Sequence, residues 1–208
     1  MTAVPDLYGD HLRLRELHPA DYPVYERIVT HRVLTRYLGT DRMDTRQAAA
    51  AFSHCLAQRH TEPRRKYTLA VCTPDDDTML GTCGLLVEDY GSNALLTGLA
   101  VLPGSPVRGH THEAPRLLAA YAFGPLGLHR VWAGHRTDHR AMHRIMDAVG
   151  LHREATVRSL FCTQGIWHDV ITYAALGPDW KRGATPAEAA VLAGQATSSI
   201  RPATAAGS

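Results

Sequence analysis

The chain has 208 residues, of which 45% are hydrophobic and 20% are charged, and its formal net charge is +2 at pH 7. This length suits one domain with a full core, and this composition excludes a chain that is disordered throughout. The small net charge, without a long block of lysine or arginine, argues against a nucleic-acid partner.

The cysteines and the N-terminus predict a cytoplasmic protein. The four cysteines, Cys55, Cys72, Cys83 and Cys162, lie in apolar segments without a CxxC pair. This pattern predicts buried free thiols in a reducing compartment. Residues 1–10 lack the apolar run of a signal peptide, and no segment is long enough to span a bilayer, so we expect no membrane partner.

The first predicted elements are a strand and two helices. Residues 11–17 alternate between apolar and charged side chains, which indicates a half-buried strand. Pro19 is typical of a first helical turn. Asp44, followed three residues later by Gln47, predicts a capping box at the start of a helix that ends near His60.

Three strands follow these helices. Residues 67–73 and 79–87 read as strands on either side of a turn that is rich in proline and aspartate. Residues 94–102 form an almost wholly apolar run. Such a run is typical of a strand that is buried on both faces.

The second half predicts helices that alternate with strands. A helix over residues 112–123 stops at Gly124-Pro125, and Val131 with Ala133 indicates another short strand. Asp138 is positioned to cap the next helix, which Gly150 closes in a left-handed conformation.

The chain ends with two strands and a tail. The strands are predicted over residues 154–162 and 167–176. From residue 183 onward, alanine, serine, threonine, proline and glycine dominate. We therefore expect one α/β domain over residues 1–182 and a disordered C-terminal tail over residues 183–208.

The most informative segment is a glycine-containing loop between a strand and a helix, within residues 94–118. The start of a helix has backbone N–H groups without helical partners and a partial positive charge, so it attracts anions. Gly109 allows close approach of a phosphate to the backbone, and Arg108 can add positive charge. A simple tight turn explains the same residues without any ligand.

Residues 103–118 resemble the coenzyme A loop of the GNAT acetyltransferase superfamily. Within that superfamily they are closest to the group of ribosomal-protein N-terminal acetyltransferases (RimJ/RimL-like). Pro103, Arg108-Gly109 and Glu113-Ala114 occupy the expected positions. The further matches, in chain order between about residues 10 and 177, are Leu12 to Arg15, His129 to Val131 with Ala133, Ala141 and Arg144, Gly150 before Arg153-Glu154, and Gly165 to Asp169 with Tyr173.

This resemblance implies an α/β fold with a mixed, mostly antiparallel sheet flanked by helices, in which acyl-CoA is wedged between two parallel central strands. It implies an N-acyltransferase that transfers an acyl group, foremost acetyl from acetyl-CoA, directly to a primary amine on a small molecule or a peptide, without a metal. A homodimer is compatible with it. The cofactor-binding residues that it implies are Leu99, Ala100, Val101, Val107, Arg108, Gly109, His110, Thr111, His112, His139 and Met142.

The chain departs from the family pattern where acid–base chemistry is usual. Val107 replaces the first glycine of the loop, and His139 replaces an asparagine that contacts coenzyme A. Met142 and Met146 stand where a serine or a tyrosine is the usual proton donor, and Leu96 replaces a glutamate. The resemblance therefore implies a retained cofactor scaffold and leaves the catalytic groups open.

The remaining candidates for a general base are His135, Glu88 with its neighbour Asp89, and Glu113. Each has an ordinary structural explanation as well. His135 can be a solvated histidine, Glu88 and Asp89 can be hairpin-turn residues, and Glu113 in the first helical turn can stabilise the helix dipole.

Two other functions remain open. The histidines His110, His112, His139 and His143, with Glu113, could form the metal site of a hydrolase, although no HExxH pattern is present. A GNAT-like fold could also bind coenzyme A or a metabolite without catalysis. The acceptor, whether a protein N-terminus, an amino acid, an aminoglycoside or a small amine, is not determined by the sequence.

Overall fold

The computed structural model describes residues 3–37, 41–90 and 92–195. The strands are Leu7–Tyr8 (β1), Arg13–Glu16 (β2), Lys66–Cys72 (β3), Met79–Val87 (β4), Asn93–Val101 (β5), Arg130–Arg136 (β6), His152–Thr163 (β7) and Ile166–Leu176 (β8). The helices are Tyr22–Val29 (α1), Arg32–Thr35 (α2), Thr45–Ala57 (α3), Glu113–Phe123 (α4), Arg140–Val149 (α5), Gly177–Trp180 (α6) and Pro186–Leu192 (α7).

The eight strands form one sheet in the order β1-β2-β3-β4-β5-β6-β8-β7. All neighbouring strands are antiparallel except β5 and β6, which are parallel. This arrangement confirms the predicted α/β fold with a mixed, mostly antiparallel sheet and two parallel central strands.

Helices cover both faces of the sheet, because alternate residues of a strand point to opposite sides. On β3, Leu69 and Val71 face the larger core, in which α4 is the central helix. Ala70 and Cys72 face the smaller core, which α1 and α3 complete. Within the described residues, no helix is both long and apolar enough to cross a membrane.

Local sequence signals set the helix starts, with one correction. Asp44 accepts a hydrogen bond from the Gln47 N–H at 2.8 Å and the Gln47 side chain bonds back, which confirms the predicted capping box. The predicted cap of α5 by Asp138 is wrong: His139 is the N-cap, and Asp138 pairs with Arg136 at 2.7 Å instead. That ion pair occupies the carboxylate that would otherwise cap the helix.

The structure moves the C-terminal boundary of the domain. Residues 183–195 were expected to belong to a disordered tail, but α7 packs against α4 and buries Val191. Glu188 of α7 accepts a hydrogen bond from Arg116 Nη2 at 2.7 Å. The small side chains that suggested disorder allow close contact between the helices instead. The rest of the expected tail, residues 196–208, lies outside the described residues.

The cysteines differ from the prediction at one position. Cys55, Cys72 and Cys83 are buried free thiols, as predicted. Cys162 is exposed because it lies on β7, the edge strand of the sheet, whose side chains are mostly exposed.

Candidate active site

The two parallel central strands separate along their length. Their pairing runs from Asn93 opposite Arg130 to Leu95 opposite Trp132 and then ends, although both strands continue. A cleft of about 560 Å³ opens at this split. Residues 94–102 were expected to be buried on both faces, and this is wrong at Thr97 and Gly98, which are exposed because β6 diverges there.

A β-bulge on β5 faces the split. Thr82 of β4 pairs with Ala100, but Gly84 pairs with Thr97, so Gly98 and Leu99 have no partner in the β4 register. Gly98 has a φ of 63°, a backbone conformation that favours glycine. The Thr82 hydroxyl donates to the Gly98 carbonyl at 2.8 Å and holds the bulge in place. Bulges of this kind re-aim backbone groups next to active sites.

Two sets of residues line the cleft: predicted cofactor-binding residues, and residues at which the chain departs from the family pattern. Leu99, Ala100, His139 and Met142 line it, as do Leu96 and Met146. Val101 is half-buried at the end of β5, and Val107 is buried in the core, so any contact from Val107 to a phosphate uses its backbone.

The predicted phosphate loop leads directly into α4. Residues Arg108–His110 form one turn of 3-10 helix, and His112 is the N-cap of α4. A side chain added at Gly109 would meet nothing within 4 Å, so this position faces open space. The Thr111 hydroxyl donates to the Val107 carbonyl at 3.5 Å. The side chain of Arg108 lies outside the described residues.

Glu113 has partners in the N-terminal hairpin rather than in the cleft. Its carboxylate accepts the His11 backbone N–H at 3.0 Å and contacts the His11 ring at 2.5 Å. His110 lies 3.6 Å from the same carboxylate, and its ring stacks on that of His11 with centroids 3.5 Å apart. Glu113 therefore joins the loop to β2, and its charge has histidine partners there.

The other acidic candidates also have structural partners. Glu88 accepts a hydrogen bond from the indole nitrogen of Trp132 at 3.1 Å, and Trp132 itself lines the cleft. Asp89 forms an ion pair with Arg65 on the surface. Glu88 thus orients one side chain of the cleft wall, and Asp89 points to the surface.

His135 is the candidate base that the structure places at the cleft. It lines the cleft wall on β6 and is only 3% exposed. Its Nδ1 lies 2.9 Å from the carbonyl oxygen of Arg136, which can only accept a hydrogen bond, so Nδ1 carries the proton. Among the described residues, its Nε2 is buried without any hydrogen-bond partner. This nitrogen therefore presents a free lone pair.

Burial lowers the pKa of His135 below its ordinary value, and the nearby His143 and His139 lower it further against the bond to the Arg136 carbonyl. The ring consequently stays neutral at pH 7. It lies between Tyr173, stacked at a centroid distance of 5.3 Å, and His143, at 4.6 Å. His143 Nδ1 in turn lies 2.7 Å from the Tyr173 hydroxyl.

The set of residues proposed from sequence for a metal hydrolase divides into two groups. His139 and His143 share one side of α5, as their spacing predicted, and both lie beside His135. His110 and Glu113 lie with His11 at the loop, and His112 is at the N-cap of α4. The rings of His11 and His110 are nearly parallel, with an interplanar angle of 9°. A metal lies near the plane of each ring that binds it, so the two stacked rings do not converge on one cation.

Sequence reasoning missed two tyrosines that pack on histidines of the cleft wall. Tyr173 was noted only as a family match, and Tyr37, in the turn after α2, was not identified. Tyr37 packs on His139 with ring centroids 4.0 Å apart. The two-residue period of β6 and β8 could have indicated that Tyr173 and His135 share a face, since Ala133 pairs with Tyr173 and His135 with Ile171.

The family comparison agrees with this geometry. Residues 11–152 match the acetyltransferase (GNAT) domain family. The chain is 30% identical over 123 residues to the Probable N-acetyltransferase YjcK of Bacillus subtilis. The aligned residues make up 59% of this chain and 68% of that protein. The chain is 24% identical over 174 residues to the uncharacterized N-acetyltransferase YoaA of the same organism, with 84% and 98% covered.

A solved structure shares the fold at low sequence identity. The spermidine N-acetyltransferase from Vibrio cholerae, in complex with CoA and spermine, superposes with a TM-score of 0.72 at 15% identity. The match covers 83% of this chain and 99% of that one. Together with the split sheet, these matches show that the chain belongs to the GNAT acetyltransferase family and is an acetyltransferase enzyme.

Proposed function

We propose that this enzyme transfers an acetyl group from acetyl-CoA directly to the primary amine of an otherwise uncharged, apolar molecule, with His135 as the general base. The observation that carries the proposal is the unpartnered Nε2 of His135, buried in the wall of the cleft. A buried polar atom without a partner costs free energy, and such atoms are expected where a substrate supplies the missing partner.

In this proposal, acetyl-CoA binds along the split between β5 and β6. Its pyrophosphate lies on the backbone N–H groups of residues 107–112, at the positive end of α4. Its pantetheine arm passes between β5 and β6, where neither strand pairs with the other. The bulge at Gly98-Leu99 and the apolar side chains of Leu96 and Met146 then surround the acyl group.

Proton transfer is the role proposed for His135. The amine nitrogen attacks the thioester carbon and forms the new C–N bond, while its proton passes to His135 Nε2, directly or through one water. The C–S bond then breaks, coenzyme A leaves as the thiolate and takes a proton from solvent, and His135 releases its own proton to solvent and becomes neutral again. The imidazolium formed is stabilised by the face of the Tyr173 ring.

The acceptor class follows from the chemistry of the cleft mouth. Val33 and Leu34 come from α2, Tyr37 from the turn that follows it, and Leu160 and Phe161 from β7. Among the described residues, no aspartate or glutamate lines this cleft. An apolar wall with a few polar groups favours a ligand with an aromatic or aliphatic body and one amine.

A polyamine or an aminoglycoside fits this mouth poorly. Each additional ammonium group would lose its hydration without gaining a carboxylate, which costs several kcal/mol per charge. The charged Arg136, beside the mouth, would repel it further, although its ion pair with Asp138 reduces that effect. This acceptor preference therefore differs from that of the spermidine enzyme with the same fold.

The narrower predictions about group, location and assembly stay proposals. The loop residues Pro103, Arg108-Gly109 and Glu113-Ala114 support the ribosomal-protein acetyltransferase group. Buried free thiols support a cytoplasmic location. Ile166 and Trp167, 61% and 64% exposed at the β7–β8 turn, are apolar surface that a second copy can cover in a homodimer.

A thiol-release assay tests the proposed function. Acetyl-, propionyl- and succinyl-CoA are each supplied with phenethylamine, spermidine, an aminoglycoside and a short peptide with a free N-terminus. We expect acetyl-CoA with phenethylamine to give the highest kcat/KM. Cofactor binding without thiol release from any pair would identify a non-catalytic binder, and loss of activity with a chelator would identify a metal enzyme; either result contradicts the proposal.

A further inference from the structure

Two histidines in the cleft wall have opposite tautomers, each set by a backbone group. His135 donates from Nδ1 to the Arg136 carbonyl, which leaves its Nε2 as an acceptor. His139 does the reverse: its Nδ1 accepts the N–H of Met142 at 3.3 Å, so this nitrogen carries no proton. In the neutral ring the proton then lies on Nε2, which is a donor.

The position of His139 keeps its ring neutral. As the N-cap of α5, a helix of ten residues, it lies at the positive end of the helix dipole, which disfavours a second proton. Burial is the largest effect and lowers its pKa, and Arg136 and His143 also lower it, against a backbone hydrogen bond at His139 and the charge of Asp138, which raise it. The Tyr37 ring packs on one side at a centroid distance of 4.0 Å and limits rotation of the imidazole.

We propose that neutral His139 donates its Nε2–H to the thioester oxygen as negative charge develops there during acyl transfer. This inference rests on the proposed function. His139 lines the same cleft as His135, with ring centroids 6.3 Å apart, so one wall of the cleft carries both an acceptor ring and a donor ring. A donor aimed at developing charge in a site that excludes water lowers the barrier of the chemical step.

His139 is a hydrogen-bond donor in this scheme and not a proton source. Loss of its Nε2 proton would produce an imidazolate, since Nδ1 is already unprotonated. The amine proton still passes to His135, the C–N bond forms, the C–S bond breaks, and the ring of His139 ends the reaction unchanged. A neutral imidazole at a helix N-terminus is an established means of polarising a carbonyl group.

A purely structural role for His139 makes a different prediction. If the ring acts only as the cap of α5, a serine in its place should be equivalent, because serine is a favoured N-cap. If the ring only holds coenzyme A, its loss should raise the KM for acetyl-CoA and leave kcat unchanged. The donor role instead requires a loss of kcat with the cap retained.

The test compares His139→Ser with His139→Ala. We expect His139→Ser to keep the melting temperature and the KM for acetyl-CoA, and to lose about 100- to 1000-fold in kcat, as when one oxyanion donor is removed. His139→Ala should lose the same activity and also some thermal stability, since it removes the cap. Wild-type kcat in His139→Ser, or a change confined to KM, would overturn the inference.

The tautomers themselves are measured by NMR of the ¹⁵N-histidine-labelled enzyme. Correlation of ring nitrogens with ring protons should show His139 protonated only at Nε2 and His135 only at Nδ1 at pH 7. Protonation of His139 at Nδ1 would overturn the inference. Absence of thiol release from the wild-type enzyme with every amine would instead refute the proposed function, so the two failures are distinct.

Discussion

The imidazole of His135 lies against the phenol ring of Tyr173, with ring centroids 5.3 Å apart and planes inclined by 23°. Tyr173 is buried and its hydroxyl is engaged by His143, so its ring is held in place against His135. This packing fixes the orientation of His135 in the cleft wall and offers an aromatic face to the imidazolium that proton transfer would produce.

Replacement of His135 tests its role as base. We expect His135→Ala to lower kcat by about 100- to 10,000-fold, which is typical for the loss of a general base. His152→Ala, at an exposed histidine on β7, serves as the matched control and should retain wild-type turnover. Steady-state thiol release measures both variants. Equal activity of the two would show that His135 is a bystander.

The lowered pKa values of His135 and His139 predict a loss of stability in acid. Because burial lowers both values below about 6.5, the unfolded chain binds protons that the folded chain does not. The contribution of these two neutral rings to the free energy of unfolding should therefore be complete above pH 6.5. It should fall as the pH drops from 6.5 towards the pKa values of the two histidines in the folded chain. Urea unfolding at pH 7.5 and 5.5 measures this, and His135→Gln should show a smaller drop than the wild type.

Gly109 tests the position of the pyrophosphate. The open space at this residue means that a new side chain acts through its charge rather than by collision with the protein. We expect Gly109→Asp to weaken acetyl-CoA binding about tenfold or more through repulsion of the phosphates. Gly109→Asn is the uncharged control of the same size. Calorimetry measures both, and wild-type affinity in both variants would place the pyrophosphate elsewhere.

An added carboxylate at the cleft mouth should change the acceptor preference. Leu160 is 46% exposed, so Leu160→Glu should fold normally and supply an anionic partner for a second ammonium group. We expect the ratio of kcat/KM for spermidine to that for phenethylamine to rise about tenfold. Leu176→Glu, at an exposed leucine outside this cleft, is the control. An unchanged ratio in Leu160→Glu would contradict the proposed acceptor site.

The C-terminal helix should be required for stability. A chain that ends at Lys181 loses Glu188 and leaves the guanidinium of Arg116 without its buried partner, which costs about 3–5 kcal/mol. For a domain of this size, the melting temperature should fall by about 6–20 °C. A chain that ends at Gln195 keeps these contacts and is the control. Equal melting temperatures would show that α7 adds nothing to stability.

Sequence patterns determined much of the local structure. The capping box of Asp44 and Gln47 is present, and Gly150 closes α5 at a φ of 81°, because both features depend on residues within one turn of each other. The collinear motifs from Leu12 to Tyr173 likewise indicated the mixed sheet. The cap of α5 was missed because Asp138 had a competing partner, Arg136, whose position on β6 the local pattern does not reveal.

The choice among candidate catalytic residues depended on tertiary structure. Glu113, Glu88 and His135 are equally plausible as isolated residues, since each can titrate or orient a neighbour. Only folding brings Glu113 to His11, a partner 102 residues away, and gives Glu88 the indole of Trp132. Folding likewise buries His135 beside the split between β5 and β6 with one ring nitrogen unpaired. The chemical character of these side chains is local, but their burial and partners depend on contacts between distant segments, and only the tertiary structure determines those.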